Sequence, residues 1–268
     1  MNQQSTKGNL ELSGSSSISG GVYDKISIAG SAAVRGDLEA HRVETAGSLK
    51  VEGRLMADDL IASGSWRCSG DAEIGCLEAS GSFRADGSLH VGKMTTSGSI
   101  EVGKDLVADH VETSGSTKIG GGIKGGKVSL SGSLDVGGDI EVEQFSSSGL
   151  LKVEGLINAD VVEIEPHAGC RAREIGGGRI SVCLGSIKLG PGVVGDLVSR
   201  VLGGISKRAL TVDTIEGDDI ELEATHAKVV RGKRVAIGVG CTIGTVEYSE
   251  SLLVDDAATV ENRVQSSG

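Results

Sequence analysis

Eight glycines recur at one fixed interval in this chain. Gly30, Gly47, Gly64, Gly81, Gly98, Gly115, Gly132 and Gly149 are each 17 residues apart. A second glycine follows six residues later in seven of the eight units, with Lys104 in the other. A period kept this strictly specifies a solenoid, each repeat stacked on the one before.

Counting from the first glycine of each unit, apolar residues fall in columns. Column two reads Ala32, Leu49, Trp66, Phe83, Ile100, Thr117, Leu134 and Leu151. Columns four, eight, ten and thirteen are apolar or small, as in Val51, Leu55, Ala57 and Leu60, and column fifteen is mixed. The columns come in pairs two apart, which is the strand period. Each unit therefore predicts three short strands and three corners, one triangular coil of a parallel β-helix. Glycine stands at two of the three corners, where a positive φ favours it.

The register extends in both directions. Leu10 and Leu12 fit columns thirteen and fifteen of a partial first coil, and Ile18, Val22, Ile26 and Ile28 fit the next with one corner residue missing. Residues 166–183 read as an 18-residue coil. Further on, Val212 and Val229 are placed at column thirteen. Val235, Ile237, Cys241, Ile243, Val246 and Tyr248 follow in order, then Leu252, Val254, Ala258 and Val260. About 14 coils result, a rod on the order of 65 Å at the strand spacing of a sheet. Roughly 14 residues too many lie between Gly190 and Arg208 for this period. There Val194, Leu197, Val198, Val201, Leu202 and Ile205 have near-helical spacing. They read as a loop or short helix on the rod, or as a docking element. The expected organisation is a polar tail (1–9), β-helical coils (10–189), the interruption (190–208), further coils (209–264) and a short tail (265–268).

Aromatic residues are 2% of the chain, which suits a narrow triangular core. The two prolines suit a backbone whose amides serve in ladders. A net charge of −11 argues against nonspecific nucleic-acid binding, which rests on phosphate neutralisation. No apolar stretch is long enough for a membrane helix. Residues 1–9 lack the apolar segment of a signal peptide, so a cytoplasmic location is expected.

The residues do not point to catalysis. The five cysteines form no C-x-x-C pair and read as reduced thiols, with Cys68 and Cys241 on inward columns and Cys76 at a corner. The histidines, His41, His90, His110, His167 and His226, are scattered over different coils, so no metal site or nucleophile–base pair is expected. Adjacent carboxylates such as Asp58 and Asp59 point to opposite sides and read as solvated. The glycine-rich stretches lack a phosphate-loop lysine and a following helix, and read as corners. No cofactor is expected.

Three outward features repeat. Serines flank the first glycine, as Ser48, Ser65, Ser82 and Ser99 on one side. They read as a hydrogen-bonded ladder, with an ice-binding or glycosylated face as the alternative. Column three is mostly basic, as Lys50, Arg67, Arg84, Lys118 and Lys152, and column seven carries Asp37, Asp71, Asp105 and Asp139. The two read as solvated faces or as guides to lateral contact.

A β-helix has two open ends with unpaired strand edges, which recruit other strands unless capped. Neither end of the repeat carries a sequence resembling a capping helix. A second copy is the expected cap, and contacts that do not close give filaments. The candidate contact residues are Leu10, Leu12, Ile18 and Val22 at one end, and Leu252, Val254, Val260 and Val264 at the other.

The repeated unit, G-S-L-K-V-E-G-R-L-M-A-D-D-L at Gly47–Leu60, resembles that of the bactofilins, polymer-forming bacterial cytoskeletal proteins. The resemblance covers roughly Ser13 to Glu165 well and the rest more loosely. It implies a right-handed β-helix that assembles into nonpolar, nucleotide-independent homopolymers. It further implies roles in cell shape, motility or wall-enzyme placement, with envelope or motility proteins as partners and attachment at the inner face of the membrane. Here the chain is longer, carries an interruption and has no apolar N-terminal targeting stretch. Two other readings remain, a non-polymerising partner-binding rod and a left-handed β-helix acyltransferase. Ile237–Gly244 looks like a hexapeptide repeat, but the 17-residue unit makes one corner too short for that fold.

Overall fold

The computed structural model describes residues 8–167, 169–184 and 209–266. The chain divides into two compact units, residues 1–129 and 130–268. In each, the described residues form an all-β solenoid of stacked coils with parallel pairing and no helix.

In the first unit, β1 (Leu10–Leu12), β2 (Ser15–Ile28) and β3 (Ser31–Thr45) lead into a regular alternation of four-residue and eight-residue strands. The short strands are β4 (Ser48–Val51), β6 (Ser65–Cys68), β8 (Ser82–Ala85), β10 (Ser99–Val102) and β12 (Ser116–Ile119). The long ones are β5 (Leu55–Ala62), β7 (Ala72–Ala79), β9 (Leu89–Thr96), β11 (Leu106–Thr113) and β13 (Ile123–Leu130). From β3 onward residues 17 apart pair, as Leu49 with Trp66 and Leu60 with Leu77. Two of the three expected strands per coil are thus one bent strand. The corner between columns ten and thirteen carries a glycine in some coils, Gly75, Gly92 and Gly126, and turns without one in others. Two consecutive outward residues, Asp58 and Asp59 in β5, turn the chain while the ladder continues.

The first glycine of most units, Gly30 to Gly115, is required by closeness rather than by φ. A Cβ at Gly64 would lie 1.8 Å from the carbonyl oxygen of Gly47, and the same holds at Gly81 and Gly98. That carbonyl accepts the N–H of the next coil's serine, Ser65 to Gly47 at 3.0 Å. The flanking serine side chains are exposed, and the ladder they mark is a main-chain one. Inside, the columns are closed. Trp66 and Phe83 stack with ring centroids 5.9 Å apart, and Trp66 Nε1 donates to Thr45 Oγ1 at 3.0 Å.

The second unit holds β14 (Ser133–Val136), β15 (Ile140–Pro166), β16 (Cys170–Val182), β17 (Leu210–Leu222), β18 (Thr225–Ile237), β19 (Thr242–Val254) and β20 (Thr259–Gln265). Ile157, Ile175, Ile215, Val230 and Val246 stack in one column, and Val162, Ile180, Ile220, Val235 and Leu252 in another. The coils after β17 are shorter. Ile220 meets Val235 after 15 residues and Val230 meets Val246 after 16. This shortening corrects the expected register. Val212 lies in the column of Ala227 and Ile243, which is column four, and half-buried Val229 stacks outward between Thr214 and Thr245. Val235 and Ile237 take columns thirteen and fifteen instead. Alternation identifies which residues point inward, but a coil that loses two residues moves the whole set round by one face.

Between β16 and β17, Ile180 pairs with Ile220, 40 residues on, so this step is longer than one coil. Val194, Leu197, Val198, Val201, Leu202 and Ile205 lie outside the described residues, as do residues 1–7 and 267–268.

Candidate assembly surfaces

The charged faces resolve first into structural pairs. Most basic residues of column three are matched within their own strand or across to a neighbouring coil. Lys50 meets Glu52 at 2.7 Å, Arg67 meets Asp86 at 2.9 Å, and Arg84 bridges Asp86 and Glu101. The carboxyl groups of Asp86, beside Arg84 and Arg67, and of Glu52, beside Lys50, are held below the ordinary range. The aspartates of column seven have a different task, which sequence reading missed. Each accepts the main-chain N–H one coil on, Arg54 to Asp37, Ser88 to Asp71, Gly122 to Asp105 and Leu156 to Asp139, at 2.8–2.9 Å. Aspartate therefore recurs every second coil, a 34-residue period superposed on the 17-residue one. The discoverable signal was that alternation, Asp37, Arg54, Asp71, Ser88, Asp105, Gly122, Asp139, Leu156.

His41 Nδ1 lies 2.6 Å from Asp58 Oδ2, which raises the imidazole pKa, and His110 Nε2 lies 3.1 Å from Glu112. Both pairs are on the surface. Among the described residues no group of three or more His, Cys, Asp or Glu side chains is placed to hold a metal. No described helix is long and apolar enough to cross a membrane.

At the outer edge of the first unit, Leu10 pairs with Ile26 and Leu12 with Ile28. Ile18 pairs with Val34. All three outer residues are half-buried, whereas Ile26 and Val34 are fully buried. The same columns that close inside the unit open at this edge. Val22 is a correction. The pairing of β2 with β3 shifts by one between Ser19 and Gly21, so Val22 stacks outward on Glu39. Gly21 takes the inward place beside Leu38, and Tyr23, stacked on Ala40, is the buried residue there. Tyr23 uses its hydroxyl to donate to the carbonyl of Ser19 at 3.0 Å.

At the outer edge of the second unit, Leu252 stacks on Val235, Val254 on Ile237 and Val260 on Ile243. These three are again half-buried above fully buried neighbours. Val264 stacks on Glu247 and points outward, 48% exposed. The inward columns at this level hold Arg263 above Val246 and Gln265 above Tyr248. Sequence reading missed Arg263 because the shortened corner of these coils hides its phase. Among the described residues, nothing pairs with the far side of β1 or of β20.

No protein-family profile and no solved structure matches this chain. It is similar to the uncharacterized protein YhbE of Bacillus subtilis strain 168, 42% identical over 107 residues, which is 40% of this chain and 41% of that protein. It is similar also to the uncharacterized protein YhbF of the same strain, 46% identical over 59 residues, 22% of this chain and 25% of that protein. The chain thus matches less than half the length of each of these relatives.

Proposed function

We propose that this protein is a structural, self-assembling component of the bactofilin type, not an enzyme. Copies stack through the outer edges of their solenoids and form filaments without nucleotide, metal or cofactor. Such filaments scaffold cell shape, motility or envelope machinery from the cytoplasm or the inner face of the membrane. The observation that carries this reading is the opening of apolar columns at outer strands. Leu10, Leu12 and Ile18, and separately Leu252, Val254 and Val260, are half-buried extensions of columns that are closed one coil further in. An unpaired strand edge above an apolar cross-section is a template for another strand.

Negative-stain electron microscopy and sedimentation of the purified protein, with no nucleotide or metal added, test it. Thin filaments are expected, lost in Ile18→Lys and Val260→Lys while the circular dichroism spectrum is kept. Uniform single particles in the unaltered protein would overturn it. One observation favours a second reading, a partner-binding scaffold that does not polymerise. Arg263 places a cation in the column of Val246, and burying an unpaired charge is costly.

A further inference from the structure

We propose that a trough on the side of the first unit docks an extended basic segment of a partner protein. That segment carries two apolar residues four apart, with a lysine or arginine midway between them. The proposal rests on the scaffolding part of the reading above, and does not depend on how copies meet at their ends. The trough runs along the stack, across β3, β5, β7, β9 and β11, and has a volume of about 480 Å³, the size of a ligand site. Its floor is the buried column Ala57, Ile74, Val91 and Ala108.

Its walls are the outward rows on either side of that column. One wall reads Met56, Glu73, His90 and Val107, paired in that order from coil to coil. The other reads Asp58, Gly75, Gly92 and Asp109, so it drops away at its two middle positions. Each end thus sets an apolar side chain opposite a carboxylate, and the middle is a gap faced by Glu73 and His90. Met56 and Val107 are each 39% exposed, the only large apolar side chains exposed to that degree among the described residues of this unit.

Charge and spacing select the occupant. Elsewhere on this unit surface carboxylates are matched by neighbouring cations, as Glu52 by Lys50 and Asp86 by Arg67 and Arg84. In the trough Asp58 has His41, but Glu73 and Asp109 make no ion pair or side-chain hydrogen bond among the described residues. Uncompensated negative charge between two apolar side chains favours a cationic chain and repels phosphate or an acidic one. Met56 and Val107 are three coils apart, about 14 Å at the strand spacing. Residues four apart in an extended chain span about 13 Å and point the same way. The residue midway between them points inward too. A lysine or arginine there reaches Glu73 and lies in the space that Gly75 and Gly92 leave open.

Fluorescence anisotropy of the full chain with fluorescein-labelled peptides tests this. The probe is K-S-L-S-K-S-L-S-K. The comparison peptide, K-S-L-K-S-L-S-S-K, has the same composition with its leucines three apart. The probe should bind, and the comparison peptide should bind about fivefold more weakly, the loss of one partly buried apolar contact. Glu73→Lys should weaken the probe about tenfold, and Met56→Ser with Val107→Ser by a similar factor, with the circular dichroism spectrum unchanged. Glu78→Lys makes the same charge change at an exposed position off the trough, and should alter binding by less than about twofold. No binding to the unaltered protein would overturn the proposal. So would equal affinity for the two peptides, or equal weakening by Glu78→Lys, since either means attraction by net charge alone. Failure of the probe to bind, together with loss of sedimenting assembly in Glu73→Lys, would also overturn it and assign the trough to a second copy. Single particles by microscopy with the probe still bound would sink the self-assembly reading and uphold the docking trough.

Discussion

The carboxylate of Asp71 accepts the main-chain N–H of Ser88, one coil on, at 2.9 Å. The same bond joins Asp37 to Arg54 and Asp105 to Gly122. It works because the corner between columns four and eight breaks the ladder, leaving an amide that the next strand does not reach. A short acceptor side chain from the coil before reaches it instead. The glycine beside it makes room, since a Cβ at Gly87 would lie 2.3 Å from Asp71 Oδ1. Asp71→Ala should therefore lower stability by about 1 kcal/mol, the usual net worth of one hydrogen bond. Asp71→Asn, which keeps an acceptor, should lose less. The urea midpoints of the two variants decide it, and equal losses would mean that charge rather than the bond matters.

Two buried threonines of column fifteen should respond in opposite directions to the same change. Thr45 Oγ1 accepts from Trp66 Nε1, so Thr45→Val strands a buried indole N–H at a cost of about 1–3 kcal/mol. Thr96 Oγ1 is buried and has no partner. Thr96→Val should stabilise by about 1 kcal/mol, because it removes a desolvated hydroxyl without removing a bond. Thermal melts of the pair would show one midpoint falling and the other rising.

Replacing glycines should separate closeness from mere flexibility. Gly64→Ala forces a Cβ onto the carbonyl of Gly47, a backbone atom that cannot swing away. A loss of more than about 4 kcal/mol is expected, in the exceptional range for one substitution. Gly14→Ala meets nothing within 4 Å and should change stability by less than about 0.5 kcal/mol.

Thiol chemistry reports the inward columns. Cys241 is buried, its thiol pushed up to about 11 by desolvation, and desolvation also raises that of buried Cys68. The thiolate is the reactive form, so both should resist iodoacetamide at pH 8 until the protein unfolds. Exposed Cys183 should be modified first, followed by half-buried Cys76. Mass spectrometry of partly alkylated protein gives the order, and early modification of Cys241 would contradict the column that places it.

Acid should weaken the solenoid through its cross-coil ion pairs. Glu44, beside Lys25 and Arg42, Glu154, beside Lys152 and Arg171, and Asp219, beside Arg234, all have carboxyl groups held below the ordinary range. A carboxylate with a lowered folded-state pKa contributes stability that is present above its unfolded value and lost as pH falls through the folded one. His41 works in the opposite sense. Its raised pKa contributes below the ordinary imidazole value and is lost as pH rises through the raised one. All these groups are exposed, so each effect is small. Melting temperatures from pH 7 to pH 3 should fall, and less steeply in Asp86→Asn with Glu154→Gln.

How far the sequence alone reaches can be judged from particular positions. The glycine period and the paired columns were enough to establish a parallel β-solenoid. They were also enough to bury Leu49, Trp66, Leu60 and Cys68, because a repeat with a strict period has one arrangement in which like residues stack. Six of the eight candidate contact residues stand where alternation puts them. What the period could not decide were the places where coil length changes. The missing residue in β2 turned Val22 outward and brought Tyr23 in. The 15- and 16-residue coils carried Val229 and Val264 to the outer face and Arg263 to an inner column. A strand pattern has a period of two and is blind to which of three faces it lines. Only the pairing of actual neighbours, summed over every corner, sets that phase. The use of Asp71 was hidden for a related reason, since an acceptor for a main-chain amide 17 residues away has no signature until the two coils are stacked.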